Sequence, residues 1–434
     1  MESKEETIKF PGRFIQLSES TPPKTVLVHI SGMEAFICSL NPAGSLYDDV
    51  ADEDEVTNCF EEIKKYLESK NINLITVKDA LLLEGCSKEL MSLAKDSLNY
   101  IKETKDNCCD EIMDQEKIKK RKKCFEEYTN YCSDDYKEKV LDKFSKKNII
   151  NTILTRPSIR LKYTDTDTYI QPTLIQFCPL GNLVFCRDQQ ITTKKGVVMG
   201  RSRTAQRKYE HIIMKQVFKN LKVDIIGEIP ENGFLEGGDF FVARENLSML
   251  GVGLRTNFEG ANYLMENDLL GTRYMALCVD ENDLDQQRMH LDTYFNILND
   301  NNALVIDFEQ VGKQVGKNIG RKVFYYDNNE DTKEIQSNNK DIKNKIGKYK
   351  LVKIFEDFYK FLEEMKFNYI KITHQEQKEY MINFLNIGNN TVISVNKDLE
   401  KKVKDLQITV KYFNCKPILN MYGGMHCMTQ VSRF

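Results

Sequence analysis

The sequence predicts an α/β fold. Short apolar runs alternate with amphipathic helical segments, turn residues separate the two, and the overall composition is that of an ordinary globular chain. Residues 26–30 form an apolar run after the turn signal Pro22-Pro23 and read as a strand. Phe60, Ile63, Tyr66 and Leu67 recur at helical spacing among charged residues, which predicts a helix that stops at Lys70-Asn71. A strand over 72–77 follows. Further strands are expected at 183–185, 197–199, 240–242, 250–254, 276–279, 303–306 and 392–395. Tyr209, Ile212, Ile213, Val217 and Phe218 mark another helix, as do Phe355, Phe358, Phe361 and Leu362.

One stretch breaks this rhythm. Residues 79–154 offer no strand pattern, are rich in Lys, Glu and Asp, and carry scattered Leu, Ile and Phe at helical spacing. They read as an all-helical insertion, dividing the chain into 1–78 with 155–434 on one side and 79–154 on the other. Within it, 117–123 is strongly basic but flanked by acidic residues. It therefore reads as a solvated helix face rather than a nucleic-acid patch. Residues 327–350, rich in Asn, Asp and Lys, read as an exposed, mobile loop.

Composition sets further bounds. The 434 residues are 41% hydrophobic and 29% charged, which excludes a mostly disordered chain. With 62 basic against 65 acidic residues the formal charge is −3, so no nucleic-acid partner is expected. No apolar run approaches the roughly 20 residues of a membrane helix, and no membrane partner is expected. The first six residues, Met-Glu-Ser-Lys-Glu-Glu, are too charged for a secretory signal. The twelve cysteines include no CxxC pair, and Cys108 and Cys109 are adjacent, a poor geometry for a mutual disulfide. A cytoplasmic protein with reduced thiols, most of them small buried hydrophobes, is the expectation.

Four short segments could carry chemistry. In Met289-His290-Leu291-Asp292-Thr293 polar and apolar residues alternate; as a strand this would set His290 and Asp292 on one face, an imidazole beside a carboxylate that raises its pKa. A polar strand face meeting solvent gives the same pattern. In Leu235-Glu236-Gly237-Gly238-Asp239, two acids flank two glycines at the mouth of an apolar strand, which fits a bulge, a close approach by a ligand, or a plain turn. Asn182 to Asp188 reads as a strand ending in the pair Arg187-Asp188, where a simple salt bridge is the alternative. Last, Gly423-Gly424-Met425-His426-Cys427 puts a cysteine on a tight loop, as a reactive thiol or a buried structural one. Adjacent His426 and Cys427 are wrongly spaced to ligate one zinc ion, so no metal is expected. Together these segments supply one thiol, one imidazole and several carboxylates. A planar guanidinium suits such a set, because a carboxylate accepts two parallel N–H bonds from it.

The pattern resembles the arginine deiminase family of guanidine-modifying enzymes. The matching pieces run in the family's order: Pro179 to Asp188, Arg203-xxx-Arg207-xx-Glu210, Leu235 to Asp239, Gly253-Leu-Arg255-Thr256, Met289 to Thr293, and Gly423 to Thr429, with Lys24 to His29 and Leu46 to Asp49 near the start. The resemblance implies an α/β propeller of five pseudo-symmetric modules with a helical insertion after the first. It implies hydrolysis of L-arginine to citrulline and ammonia, without metal or organic cofactor, in a homo-oligomer. By motif match Cys427 is the nucleophile, Asp188 and Asp292 clamp the guanidinium, and His290 and Glu236 move protons. Arg207 and Arg255 match residues that hold the substrate carboxylate, and Asn182 and Phe185 match pocket-lining residues. The family's further arginine, five residues before the nucleophile, is Tyr422 here. That departure leaves open another guanidino substrate, agmatine or peptidyl arginine, and an inactive binding or scaffold member is the remaining alternative.

Overall fold

A computed structural model describes residues 13–83, 87–103, 115–164 and 170–433. The first residues and the Cys108-Cys109 pair lie outside them. The described chain is a mixed α/β protein of small sheets, with no closed barrel among them. It divides into two compact units: residues 1–30, 48–80 and 182–434, and residues 31–47 with 81–181.

The first unit repeats one strand order five times. In each case an antiparallel pair is followed by a parallel pair, and a helix sits in the parallel crossover. Thr25–Val28 pairs antiparallel with Gln430–Ser432 and parallel with Asn73–Thr76. Val197–Met199 does the same between Gln190–Thr192 and Ile225–Glu228. So do Leu247–Val252 between Phe240–Arg244 and Tyr274–Val279, Asn302–Ile306 between Phe295–Ile297 and Asn368–Ile372, and Thr391–Ser394 between Leu385–Asn386 and Thr409–Tyr412. The parallel pairs require the helical crossovers that the sequence periodicity shows.

The crossover helices follow from local signals. Glu53–Ser69 begins where Asp52 accepts hydrogen bonds from the N–H groups of Asp54 and Glu55, and it buries Val56, Cys59, Phe60, Ile63 and Leu67 on one face. Phe308–Val315 is capped by Asp307 and closed by Gly316 at φ +69°, a conformation glycine adopts without strain. His374–Lys378 opens with a capping box between Thr373 and Glu376. Phe241, Phe295, Phe358 and Phe361 anchor one buried cluster, and Leu250, Met265, Leu277 and Tyr349 another.

Several sequence expectations change here. Residues 79–154 are not all helix: Asn99–Lys102 is a strand, parallel to Ser158–Tyr163, which pairs with Ile170–Gln176. Four residues with only Tyr100 and Ile101 apolar give too short a run to register as a strand. The second unit also begins at residue 31 and ends at 181. Residues 327–350 are not a plain loop. Lys345–Ile346 pairs with Tyr349–Phe355, extending one sheet to six strands, and Ile342, Ile346 and Tyr349 are buried. The helix Gln115–Tyr131 presents Lys119, Lys120, Lys122 and Lys123 to solvent. The thiols are not all reduced: Cys59 and Cys415 form a disulfide with Cα atoms 5.7 Å apart, while Cys38, Cys186, Cys278 and Cys427 are free and buried. No helix among the described residues is long and apolar enough to cross a membrane.

Candidate active site

The chemically suggestive segments meet in the first unit, but as tight turns rather than strands. Gly181–Val184, Gly237–Asp239 and Leu291–Thr293 are single 3-10 turns. The period-2 pattern around His290 is therefore a turn whose side chains diverge: His290 reaches Glu236, and Asp292 reaches His426. Tertiary bonds hold it, since Asp239 Oδ1 accepts from the Leu291 N–H at 2.9 Å. The glycine pair serves a close approach, by a side chain of this chain. A Cβ at Gly238 would lie 2.6 Å from His290 Nδ1. Likewise, a Cβ at Gly423 would lie 2.1 Å from the Phe185 ring.

Two histidine–carboxylate pairs result. In the first, His290 Nε2 and Glu236 Oε2 are 2.9 Å apart, and His290 Nδ1 lies 3.8 Å from Asp188 Oδ1. Burial works against the imidazolium, but Asp188, Glu236 and Asp239 prevail and raise the His290 pKa to about 10. Burial works against the Glu236 carboxylate too, and there the His290 bond prevails and holds its pKa below the usual range. Burial, with the Glu236 charge adding to it, raises nearby Asp239 to about 7. In the second pair, His426 Nδ1 is 2.7 Å from Asp292 Oδ2, and its ring stacks on Phe241 at 5.0 Å. Cys427 Sγ is 3.5 Å from the same Asp292 oxygen. Burial, then the charges of Asp292 and Asp188, push the Cys427 thiol well above its ordinary pKa.

One residue that clamps the cysteine was missed by sequence reasoning. Asn383 Oδ1 accepts from the N–H groups of His426 and Cys427 at 3.0 and 3.1 Å, and its Nδ2 donates to Cys427 Sγ at 3.0 Å. A lone amide in the apolar run Met381-Ile382-Asn383-Phe384-Leu385 was the available signal, since buried polar groups need partners. Glu19 is also buried here, 3.0 Å from Arg433 and 3.7 Å from His426 Nε2.

Both sequence-predicted arginines have partners within this chain. Arg207 Nη1 bonds Asp188 Oδ2 at 2.6 Å, Nη2 is 2.8 Å from Glu210, and Nη2 also reaches the Asn182 carbonyl. Arg255 donates to Gln286 at 2.8 Å and stands 4.0 Å from Glu236. Two buried acids hold Arg207, so it balances their charge.

A cleft of about 210 Å³ opens onto Cys427. Its lining includes Asp48, Gln286, Met289, Thr293, Lys378, Tyr380, Asn383, Tyr422 and Gly423, while Asp188, Arg207, Glu236, Arg255, His290 and Asp292 lie outside it. Among the buried polar atoms of the described residues without a hydrogen-bond partner are Asp292 Oδ1, His290 Nδ1, His426 Nε2, Arg187 Nη2 and Arg255 Nε. Orphaned buried atoms are costly and commonly mark where a ligand binds. Oxygen and nitrogen atoms of Asp188, Glu236 and His290 lie within 4.8 Å of one another, the donor set that could hold a cation. Arg207 and the His290–Glu236 bond already occupy part of that set.

Cys427 thus stands at a cleft with two buried histidine–carboxylate pairs packed behind it. The family model for arginine deiminase matches residues 88–433, and the chain belongs to that family. At lower coverage, it resembles the arginine deiminase of Limosilactobacillus reuteri, 25% identical over 38% of this chain and spanning 43% of that protein. It also resembles that of Halobacterium salinarum, 24% identical over 58% of this chain and 64% of the relative, and arginine deiminase 1 of Staphylococcus epidermidis, 23% identical over 66% and 71%. Among solved structures, a DDAH of Pseudomonas aeruginosa in complex with citrulline aligns over 94% of this chain and 99% of that chain, at 13% identity and a TM-score of 0.49.

Proposed function

We propose that the protein is an arginine deiminase, hydrolysing L-arginine to L-citrulline and ammonia through a covalent thiouronium intermediate on Cys427. One observation carries this reading: the thiol opens onto a cleft with the Asp292 carboxylate 3.5 Å behind it, where burial and then the charges of Asp292 and Asp188 oppose the thiolate until a cation arrives. A guanidinium bound between Asp188 and Asp292 reverses that field and favours the thiolate, so the substrate activates its own nucleophile. Asp292 Oδ1, buried and without a partner, is the oxygen left to receive it.

The steps follow from the proton inventory. The thiolate adds to the guanidinium carbon. His290, an imidazolium backed by Glu236, gives a proton to the departing nitrogen, and ammonia leaves. The now neutral His290 takes a proton from water, which attacks the thiouronium carbon. Collapse releases citrulline and restores the thiolate. Asn383 positions the sulfur throughout, and Phe185 and Asn182 wall the site. The machinery falls within the first unit; its five repeated strand orders support reading that unit as a pseudo-symmetric five-module propeller. The reading includes a homo-oligomeric, cytoplasmic protein that needs no metal or organic cofactor.

An assay for citrulline and ammonia from L-arginine, with Cys427→Ala as control, tests the proposal. Product from the wild type alone supports it. A second reading, another guanidino substrate, is favoured by Tyr422 at the family's arginine position. Product from agmatine or a blocked arginine peptide, but not from arginine, would select it.

A further inference from the structure

The cleft mouth has its own charge pattern. Lys378 is the cation of the lining, carried at the end of the capped helix His374–Lys378. It is exposed, and among the described residues it has no carboxylate within ion-pair distance. Asp48 is the carboxylate of the lining; Asp188 and Asp292 lie buried behind the sulfur. Its backbone N–H is tied to the Asn420 carbonyl at 2.7 Å, and its charge acts on both Tyr380 and Tyr422. Arg288, also near Tyr422, is already held by Asp283 and Asp285. Tyr422 itself has φ +76° and packs edge-on against Tyr380, forming wall rather than charge.

We propose that Lys378 and Asp48 form a head-group subsite for a free α-amino acid, Lys378 taking the α-carboxylate and Asp48 the α-ammonium. The inference rests on the hydrolase reading above and names its substrate class. A free amino acid with a guanidino side chain has three charged groups, and this cleft offers each an opposite one: carboxylates at the sulfur end, one cation and one anion at the mouth. Agmatine has no carboxylate for Lys378 and presents it a like charge. A blocked peptide offers neither mouth charge. Lys378 thus supplies, from the end of the helix His374–Lys378, the positive charge that an arginine at position 422 would carry, and specificity arises as much from repulsion as from attraction.

The test compares wild type, Lys378→Ala, Lys378→Glu and Asp48→Asn on L-arginine and agmatine. Both positions are exposed, so the variants are expected to fold. Lys378→Ala should raise KM for L-arginine about five- to tenfold with little change in kcat, the mark of lost ground-state binding at a partly screened charge. Lys378→Glu should raise it further and lower KM for agmatine, reversing part of the preference. Asp48→Asn should weaken both substrates. Equal KM changes for arginine and agmatine in the Lys378 variants, or none, would overturn the subsite. Calorimetric binding of L-arginine in a Cys427→Ala background separates the two levels. Binding that depends on Lys378 without wild-type turnover would retire the hydrolase reading and keep the subsite. Turnover that ignores Lys378 would do the opposite.

Discussion

The two ends of the cleft are built on different principles. At the sulfur end Asp188, Glu236, His290, Asp292 and His426 are all almost fully buried; His290 bonds Glu236, His426 bonds Asp292 and Arg207 bonds Asp188, so each side chain has one place to be. At the mouth Asp48 and Lys378 are exposed and bonded to little, and Tyr422 is half-buried. Low-dielectric burial strengthens charge at the first end, and solvent screening weakens it at the second. The proposed reaction would then depend on the rigid end and the proposed choice of substrate on the loose one. A change at the buried end should be large and indifferent to substrate, whereas a change at the mouth should be small and selective.

The largest expected effect breaks the buried end outright. Cys427→Ser should lower citrulline formation by about 10⁴-fold or more, because the hydroxyl has no base to make it a nucleophile here. A loss under tenfold in the same assay would displace Cys427 from its role. Glu236→Gln comes next. It keeps the shape but removes the charge that sustains the His290 imidazolium, and kcat should fall by about 10²- to 10⁴-fold for arginine and agmatine alike.

The same pair predicts a pH dependence of stability. The folded pKa of His290 is raised, so the stabilisation from its proton is complete below the unfolded value near 6.5 and is lost as pH rises toward about 10. The gap in melting temperature between wild type and Glu236→Gln should therefore narrow steadily from pH 7 to 10. A gap that widens over this range would reverse the assigned direction. Asn383→Ala sharpens the comparison from the packing side. It strips the partners of two buried N–H groups and should cost about 1–3 kcal/mol in denaturant unfolding, besides slowing catalysis. At the mouth the effect shrinks. Tyr422→Phe, removing a hydroxyl with no hydrogen bond to a described residue, should change KM for arginine by less than about threefold. A larger change would make the phenol a substrate ligand.

The same contrast explains what could be read from the sequence. Glu236, Gly237, Gly238, His290, Asp292 and Cys427 sit in short motifs because tight turns demand particular neighbours: the glycines are needed where His290 presses on the backbone. The residue types were thus legible, while their conformation was not. Alternation around His290 mimicked a strand, yet hydrogen bonds from distant Asp239 and Glu236 fold it into a turn. Arg207 was expected to face substrate, but its bonding to Asp188 and Glu210 depends on a tertiary arrangement no local pattern encodes. The mouth left almost no trace, since Asp48, Gln286, Lys378 and Tyr422 come from separate segments with no shared spacing. The strands at the centre of four of the five repeated sheets, by contrast, were visible as apolar runs, whereas partners with interleaved polar residues, such as Ile170–Gln176 and Tyr349–Phe355, and very short ones such as Lys345–Ile346 were not.

The most direct test of the central claim is mass spectrometry of the wild-type enzyme, acid-quenched during turnover of L-arginine. The account predicts that the peptide containing Cys427 gains the mass of arginine less ammonia, and that the adduct is absent in Cys427→Ala. Citrulline formed at full rate with Cys427 unmodified at every quench time, or an adduct on another residue, would contradict it.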